Sequence, residues 1–150
     1  MIHYRPFKPD DADNLLNFLS DVHGPSFIEL GKAYIRAASD GDIIKPRFIL
    51  AELNDQIIGC CAWTLESFTV DLVSLSSLSV LDTFRGQGIG TNLIHACQKA
   101  AIEAFGRTVS FILVTYPEKN RLYEKIGFRQ IAKDTHGGSI MLHQIFESSD

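Results

Sequence analysis

The chain has 150 residues, 45% of them hydrophobic and 21% charged, with a formal net charge of −4. That composition can bury a core and excludes a disordered chain, and the length predicts a single domain over residues 1–150. No apolar run approaches the roughly 20 residues of a membrane span, and an acidic balance without a basic block argues against nucleic acid as the main partner.

Ile2 to Phe7 predicts a first strand, ended by the turn Lys8-Pro9-Asp10-Asp11. Asp10, Asp11 or Asp13 can cap a helix through Ser20, whose apolar side is Leu15, Leu16, Phe18 and Leu19. His23-Gly24-Pro25 breaks it. Phe27, Leu30, Tyr34 and Ala37 then mark a second helix over about 26–38. Ser39-Asp40-Gly41-Asp42 reads as a loop. Arg47 to Leu53 and Gln56 to Leu65 are strands joined by a hairpin turn at Asn54-Asp55. Gly59 inside the second strand marks a bulge or a close backbone approach. Val70 to Val80 is a further strand, rich in serine at 74, 76, 77 and 79. Serine is a poor strand former, so something other than propensity shapes this segment.

Ile89, Leu93, Ala96, Cys97 and Ala100 recur at helical spacing, and Gly106 after Phe105 stops that helix. Val109 to Thr115 reads as a fully buried strand. Pro117 opens a short helix ending before Gly127. Phe128 to Lys133 and Ser139 to Phe146 are the last strands, around a turn at 134–138, and the tail from Glu147 is expected to fray. Cys60, Cys61 and Cys97 are odd in number and two are adjacent, a poor disulfide framework that fits a reducing cytoplasm. Cys97 reads as small core filler. The N-terminus lacks the apolar stretch of a signal peptide.

The motif that carries chemistry is Arg85-Gly86-Gln87-Gly88-Ile89-Gly90-Thr91, between a strand and a helix. Glycines at alternate positions remove the Cβ atoms that would keep a ligand from the backbone. A helix start offers orphan N–H donors and a partial positive charge. With Arg85 beside them, these make a site for a phosphate or pyrophosphate. No lysine follows, which excludes a Walker loop, and the spacing differs from the Gly-x-Gly-x-x-Gly dinucleotide fingerprint.

Arg85 to Gly90 resembles the Arg/Gln-x-x-Gly-x-Gly/Ala signature of the GNAT superfamily, the acyl-coenzyme A-dependent N-acyltransferases. Leu78-x-Val80 and Leu93 agree with that pattern, while Asp82 stands where proline is common. Leu122-Tyr123-Glu124-Lys125-Ile126-Gly127-Phe128 resembles the second signature, Leu-Tyr-x-x-x-Gly-Phe. Where the family often has an asparagine seven residues before the tyrosine, this chain has Tyr116, with Asn120 nearer. The resemblance implies an α/β (α+β) fold: a mixed, mostly antiparallel sheet of about seven strands, splayed between strands 4 and 5, with about four helices. It implies acetyl-CoA as cosubstrate. Its contacts would be Leu78, Ser79, Val80, Arg85, Gly86, Gln87, Gly88, Ile89, Gly90, Thr91, Asn120 and Tyr123. A cytoplasmic enzyme is expected, with no membrane partner, and a homodimer is compatible with it. No His, Cys, Asp or Glu cluster has metal-ligand spacing.

The implied reaction is direct attack of a primary amine on a thioester. An amine of pKa about 10.4 is neutral in roughly one molecule in 2,500 at pH 7, so a base or a proton path helps. The resemblance puts an oxyanion donor near Ser79 or Val80 and gives Tyr123 the role of proton donor to the leaving thiolate. The family's glutamate on the fourth strand is replaced by Ser74 and Ser76. Asp71 is the expected base. Glu66, His23, Glu29, or a water chain through Ser74 or Ser76 are its rivals. The acceptor, a small-molecule or peptide amine, is read mainly by residues 20–45, including His23, Phe27, Glu29, Tyr34, Arg36, Asp40 and Asp42, and Trp63 either walls the site or fills the core. Two alternatives stand beside this reading. One is a degenerate domain that binds acyl-CoA as a sensor or scaffold, motivated by the missing glutamate. The other is a nucleotide-binding module using the same glycine turn.

Overall fold

A computed structural model describes residues 1–39, 45–66 and 71–145. The expected loop positions Asp40 to Asp42, the strand start at Val70, and Phe146 with the tail lie outside the described residues. The strands are β1 (His3–Pro6), β2 (Arg47–Leu53), β3 (Gln56–Leu65), β4 (Leu72–Val80), β5 (Ser110–Thr115), β6 (Arg129–Lys133) and β7 (Ser139–His143). The helices are α1 (Ala12–His23), α2 (Ile28–Ser39), α3 (Ile89–Phe105) and α4 (Asn120–Glu124). They interleave as expected: a strand, two helices, three strands, a helix, a strand, a helix and two strands.

The strands form one sheet in the order β1-β2-β3-β4-β5-β7-β6. Every pair is antiparallel except β4 and β5. Parallel neighbours need a crossover, and α3 supplies it. Asn54 and Asp55 both adopt positive φ, 50° and 63°, which closes β2 and β3 through the primed turn that matches strand twist. Two apolar clusters cover the two faces of the sheet. Leu15, Phe18, Leu19 and Ile35 of α1 and α2 pack with Phe48, Leu50 and Cys60. Ile89, Leu93, Ile94, Cys97 and Ala101 of α3 pack with Ile58, Cys61, Val73, Phe111 and Met141. Trp63 belongs to this second core, 3% exposed, with Phe105 edge-on at 6.1 Å and the Arg47 guanidinium 4.9 Å over its ring.

α1 runs to His23, past the expected end at Ser20, and two side-chain details also differ from the sequence reading. Asp11 precedes α1, but its carboxylate makes no cap hydrogen bond to that helix. It instead accepts from the Lys8 N–H at 2.8 Å and from both Arg5 Nη atoms at 2.8 Å. β5 is buried only through Phe111 and Leu113; Val114, on the opposite face, is outside the cluster that α1 and α2 cover and is 59% exposed.

Candidate active site

β4 and β5 pair over three positions: Leu72 with Ser110, Val73 with Phe111 and Ser74 with Ile112. Beyond them the strands part. The cause lies on the other edge of β4. Ser79 pairs with Cys60 and Ser76 with Ala62, so Ser77 and Leu78 together face the single residue Cys61. This is a bulge, which bends the strand that carries it. Ser77 sits at φ 57°, in the left-handed region that side chains rarely adopt. The serine-rich stretch is therefore where β4 bends and parts from β5 while keeping its place beside β3.

The parting opens a cleft of about 640 Å³. Leu75, Ser76, Ser77 and Leu78 form one wall, and Leu113, Val114, Thr115 and Tyr116 the other. Cys61, Ile94 and Tyr123 also line it. Tyr123 is 6% exposed, and its ring meets Phe128 edge-on at 6.0 Å. Burial is the main reason its phenol is pushed up to about 12, with the Cys61 thiol a further cause and a hydrogen bond with Thr115 opposing. The hydroxyl therefore keeps its proton at neutral pH.

The glycine turn stands at the start of α3. Gly59 on β3 lets the helix come this close: a Cβ there would lie 3.0 Å from Leu93 Cδ1, 3.1 Å from the Ser79 carbonyl oxygen and 3.4 Å from Ile89 Cγ2. Gly86 and Gly88 take φ 78° and 80°, and a Cβ on either would meet nothing within 4 Å. The turn's surface is thus bare backbone facing open space. The first donor of the helix to reach a main-chain carbonyl is the Asn92 N–H, 3.0 Å from the Gly88 oxygen. Among the described residues, the amides from Gly86 to Thr91 meet no protein acceptor. Gly90 lies against Leu78 and Val80, 3.9 and 4.0 Å from where its Cβ would be. The turn and the cleft are therefore contiguous through Leu78. Arg85 is exposed beside the turn and pairs with Asp82 at 3.1 Å.

Asn120 begins α4. Its Nδ2 donates to Gln130 Oε1 at 3.0 Å, and its Oδ1 is buried with no partner among the described residues. Ser79 and Val80 pair with Cys60 and Gly59 on β3, so the gap in that ladder lies at Ser77 and Leu78. Asp71 is not brought to the cleft. It precedes β4 at the end where β4 and β5 remain paired, is 69% exposed, and forms an ion pair with Arg107 at 3.0 Å. Glu66 lies at that same end, its N–H donating to the Leu72 carbonyl at 3.0 Å. Glu29 is 89% exposed and faces Lys32.

The segment expected to read the acceptor does reach the cleft, through His23, Ser26, Phe27, Leu30 and Tyr34. His23 ends α1, and its Nε2 lies 2.8 Å from Ser79 Oγ. Its ring tilts over Phe27 with centroids 4.6 Å apart. Burial and then the nearby Lys119 charge hold its pKa below the usual imidazole value. Sequence reasoning ranked His23 behind Asp71, because its Ser79 partner lies 56 residues away. The three thiols are free and buried; burial pushes the Cys60 thiol up, and Cys61 together with burial does the same to Cys97. Among the described residues no group of three or more His, Cys, Asp or Glu is placed to hold a metal ion, and no helix is long and apolar enough to cross a membrane.

This architecture is shared with solved acetyltransferases. An aminoglycoside 6′-N-acetyltransferase in complex with coenzyme A superposes with a TM-score of 0.82 at 14% identity, over 99% of each chain. The PaiA N-acetyltransferase of Thermoplasma acidophilum, also in complex with coenzyme A, gives 0.74 at 15% identity, over 97% of this chain and 99% of that one. A GNAT-family acetyltransferase of Streptococcus pneumoniae gives 0.73 at 20% identity, over 95% and 98%. In sequence, an uncharacterised N-acetyltransferase of Chlorobaculum tepidum is 32% identical over 87 residues, 58% of this chain. The match spans 52%, about half, of that relative's length. The family model of the acetyltransferase (GNAT) domain matches residues 45–130, which hold β2 to α4, the bulge, the glycine turn and Tyr123. On that match, over more than half of the chain, this protein belongs to the GNAT acetyltransferase family.

Proposed function

We propose that the chain is an acetyl-CoA-dependent N-acetyltransferase that serves a primary amine by direct attack in a ternary complex. One observation carries this reading: unbonded amides from Gly86 to Thr91 run, past Leu78, into a cleft that holds the protonated hydroxyl of Tyr123. The empty space around Gly86 and Gly88 fits a diphosphate, which backbone donors and the α3 dipole would hold. The unpaired edges of β4 and β5 suit a pantetheine arm lying between them as an extra strand. Acetyl-CoA supplies the activated acyl group. The main chain at Ser77 and Leu78, on the β4 wall of the cleft, would receive the acyl oxygen. Tyr123 holds the proton that the departing sulfur takes. Asn120 offers its unpartnered Oδ1 as a further contact. The acceptor amine enters along His23, Phe27, Leu30 and Tyr34.

The test is a calorimetric titration with coenzyme A, followed by thiol release from acetyl-CoA over a panel of amines. Binding with release for at least one amine is the expected result, and absence of coenzyme A binding overturns the reading. A domain that binds acyl-CoA without turnover is the second reading. It is favoured by the cleft wall of β4, where Leu75 to Leu78 include no carboxylate. Steady thiol release rules it out.

A further inference from the structure

The cleft lacks a carboxylate base on β4, yet it contains an accessible imidazole with an unusual support. Ser79 Oγ donates to the Ser77 carbonyl at 3.1 Å, and that carbonyl also accepts from Cys60 Sγ at 3.3 Å. A serine hydroxyl has one proton. Once it is given to Ser77, Ser79 can only accept from His23, so Nε2 carries the ring hydrogen across the 2.8 Å contact. Nδ1 is then the lone-pair nitrogen of a neutral ring. Among the described residues it meets no hydrogen-bond partner, and His23 itself lines the cleft.

We propose that His23 Nδ1 accepts the proton of the attacking amine, with Ser79 and the Ser77 carbonyl at the bulge fixing the ring's tautomer and angle. The proposal rests on the acetyltransferase reading above. As the N–C bond forms and the C–S bond breaks, the nitrogen gives one proton to Nδ1, and the sulfur takes the proton of Tyr123. Exchange with water returns the imidazolium and the phenolate to their starting states. The bulge then has two tasks: it opens the cleft, and through Ser79 it orients the base. The surroundings favour a neutral ring. Burial and then the positive charge of Lys119, just before α4, lower its pKa. Tyr34 of α2, Cys61 of β3, Tyr116 after β5 and Tyr123 of α4 are the other titratable groups on the cleft, with Asp134 from the β6–β7 turn. The Asp134 Oδ1 already accepts from the Gly138 and His136 N–H groups, at 2.6 and 2.9 Å.

Two measurements on the full chain test this. Nitrogen-15 NMR of the wild-type imidazole at pH 7 should show a protonated Nε2 and a bare Nδ1; a protonated Nδ1 or an imidazolium overturns the relay. Thiol release is then followed from pH 5 to 9 with 2-phenylethylamine and with glycyl-phenylalanine amide as probes. Wild type should lose kcat/KM on an acid limb below pH 6.5, the ordinary imidazole value. His23→Gln should lower kcat at least about tenfold and abolish that limb, with KM for acetyl-CoA unchanged, and added imidazole should restore part of the rate of His23→Ala. Ser79→Ala, which keeps the imidazole, should show mixed tautomers and a smaller loss of kcat. Wild-type turnover that survives unchanged in His23→Gln overturns this inference and leaves the acetyltransferase reading standing. No release by wild type with either probe counts against that reading itself.

Discussion

At the scale of single residues, desolvation shifts two groups on the cleft in opposite directions. Tyr123 is buried, so its phenol is pushed up to about 12 and it remains a donor across the working pH range. His23 is only partly buried on the cleft, and desolvation with the Lys119 charge holds it low, so its ring favours the neutral form. Tyr123→Phe deletes the oxygen alone, while the ring keeps its edge-on contact with Phe128. The expected outcome is a kcat lower by about 10- to 100-fold with KM for acetyl-CoA within about twofold. Initial-rate kinetics decide it, and unchanged turnover would reduce Tyr123 to packing. The position of Tyr123 on the cleft was legible because Leu122 before it and Gly127-Phe128 after it fix its place in a short motif. His23 was not, because no local spacing reveals that β4 brings Ser79 to the end of α1. The position of Asp71 shows the converse. It stands near the right strand in sequence, but a strand has two ends, and the cleft opens at the other one.

At the scale of elements, boundaries were legible where a turn or a stop has its own chemistry. Arg47–Leu53 and Gln56–Leu65 agree residue for residue, since Asn54-Asp55 can adopt the positive φ values that a two-residue hairpin requires. Gly106 ends α3 at φ 65°, its N–H on the Ile102 carbonyl at 2.9 Å. Asp11 does stand at the N-cap of α1, but a long-range partner takes its carboxylate. Arg5 on β1 holds both Asp11 oxygens and also Glu52 on β2, all at 2.8 Å, and so ties the first turn to the sheet edge. The hydrogen bond from Arg5 is the chief reason that the Asp11 carboxyl titrates below its ordinary 3.8. A carboxyl depressed on folding contributes stability that is complete above the unfolded value and is lost as pH falls from there through the folded one. Asp11→Asn should therefore cost about 1 kcal/mol at pH 7 and flatten the decline of stability below about pH 4. Urea denaturation at stepped pH measures both, and a variant that loses stability in acid as steeply as wild type would remove Asp11 from that role.

At the scale of the whole molecule, the sheet is incomplete by design of its sequence. Three paired positions join β4 to β5, and from Leu75 and Leu113 onward both edges face the cleft, where Val114 and Tyr116 stay 59% and 68% exposed. A ligand that lies there as a strand joins the two halves of the sheet, so binding and stability are linked. Coenzyme A at about 100 times its Kd should add about 2.7 kcal/mol and raise Tm by about 5–10 °C. Hydrogen exchange should slow at amides within 75–78 and 113–116, because the ligand replaces water along both edges. Gly88→Val serves as the control. At φ 80° a β-branched residue costs about 1–3 kcal/mol of strain, and its side chain fills the open space over the turn. That variant should melt lower by itself and gain nothing from coenzyme A. A wild-type Tm shift without protection on the β4 and β5 edges would mean that the carrier lies elsewhere, and the splayed sheet would then need another explanation.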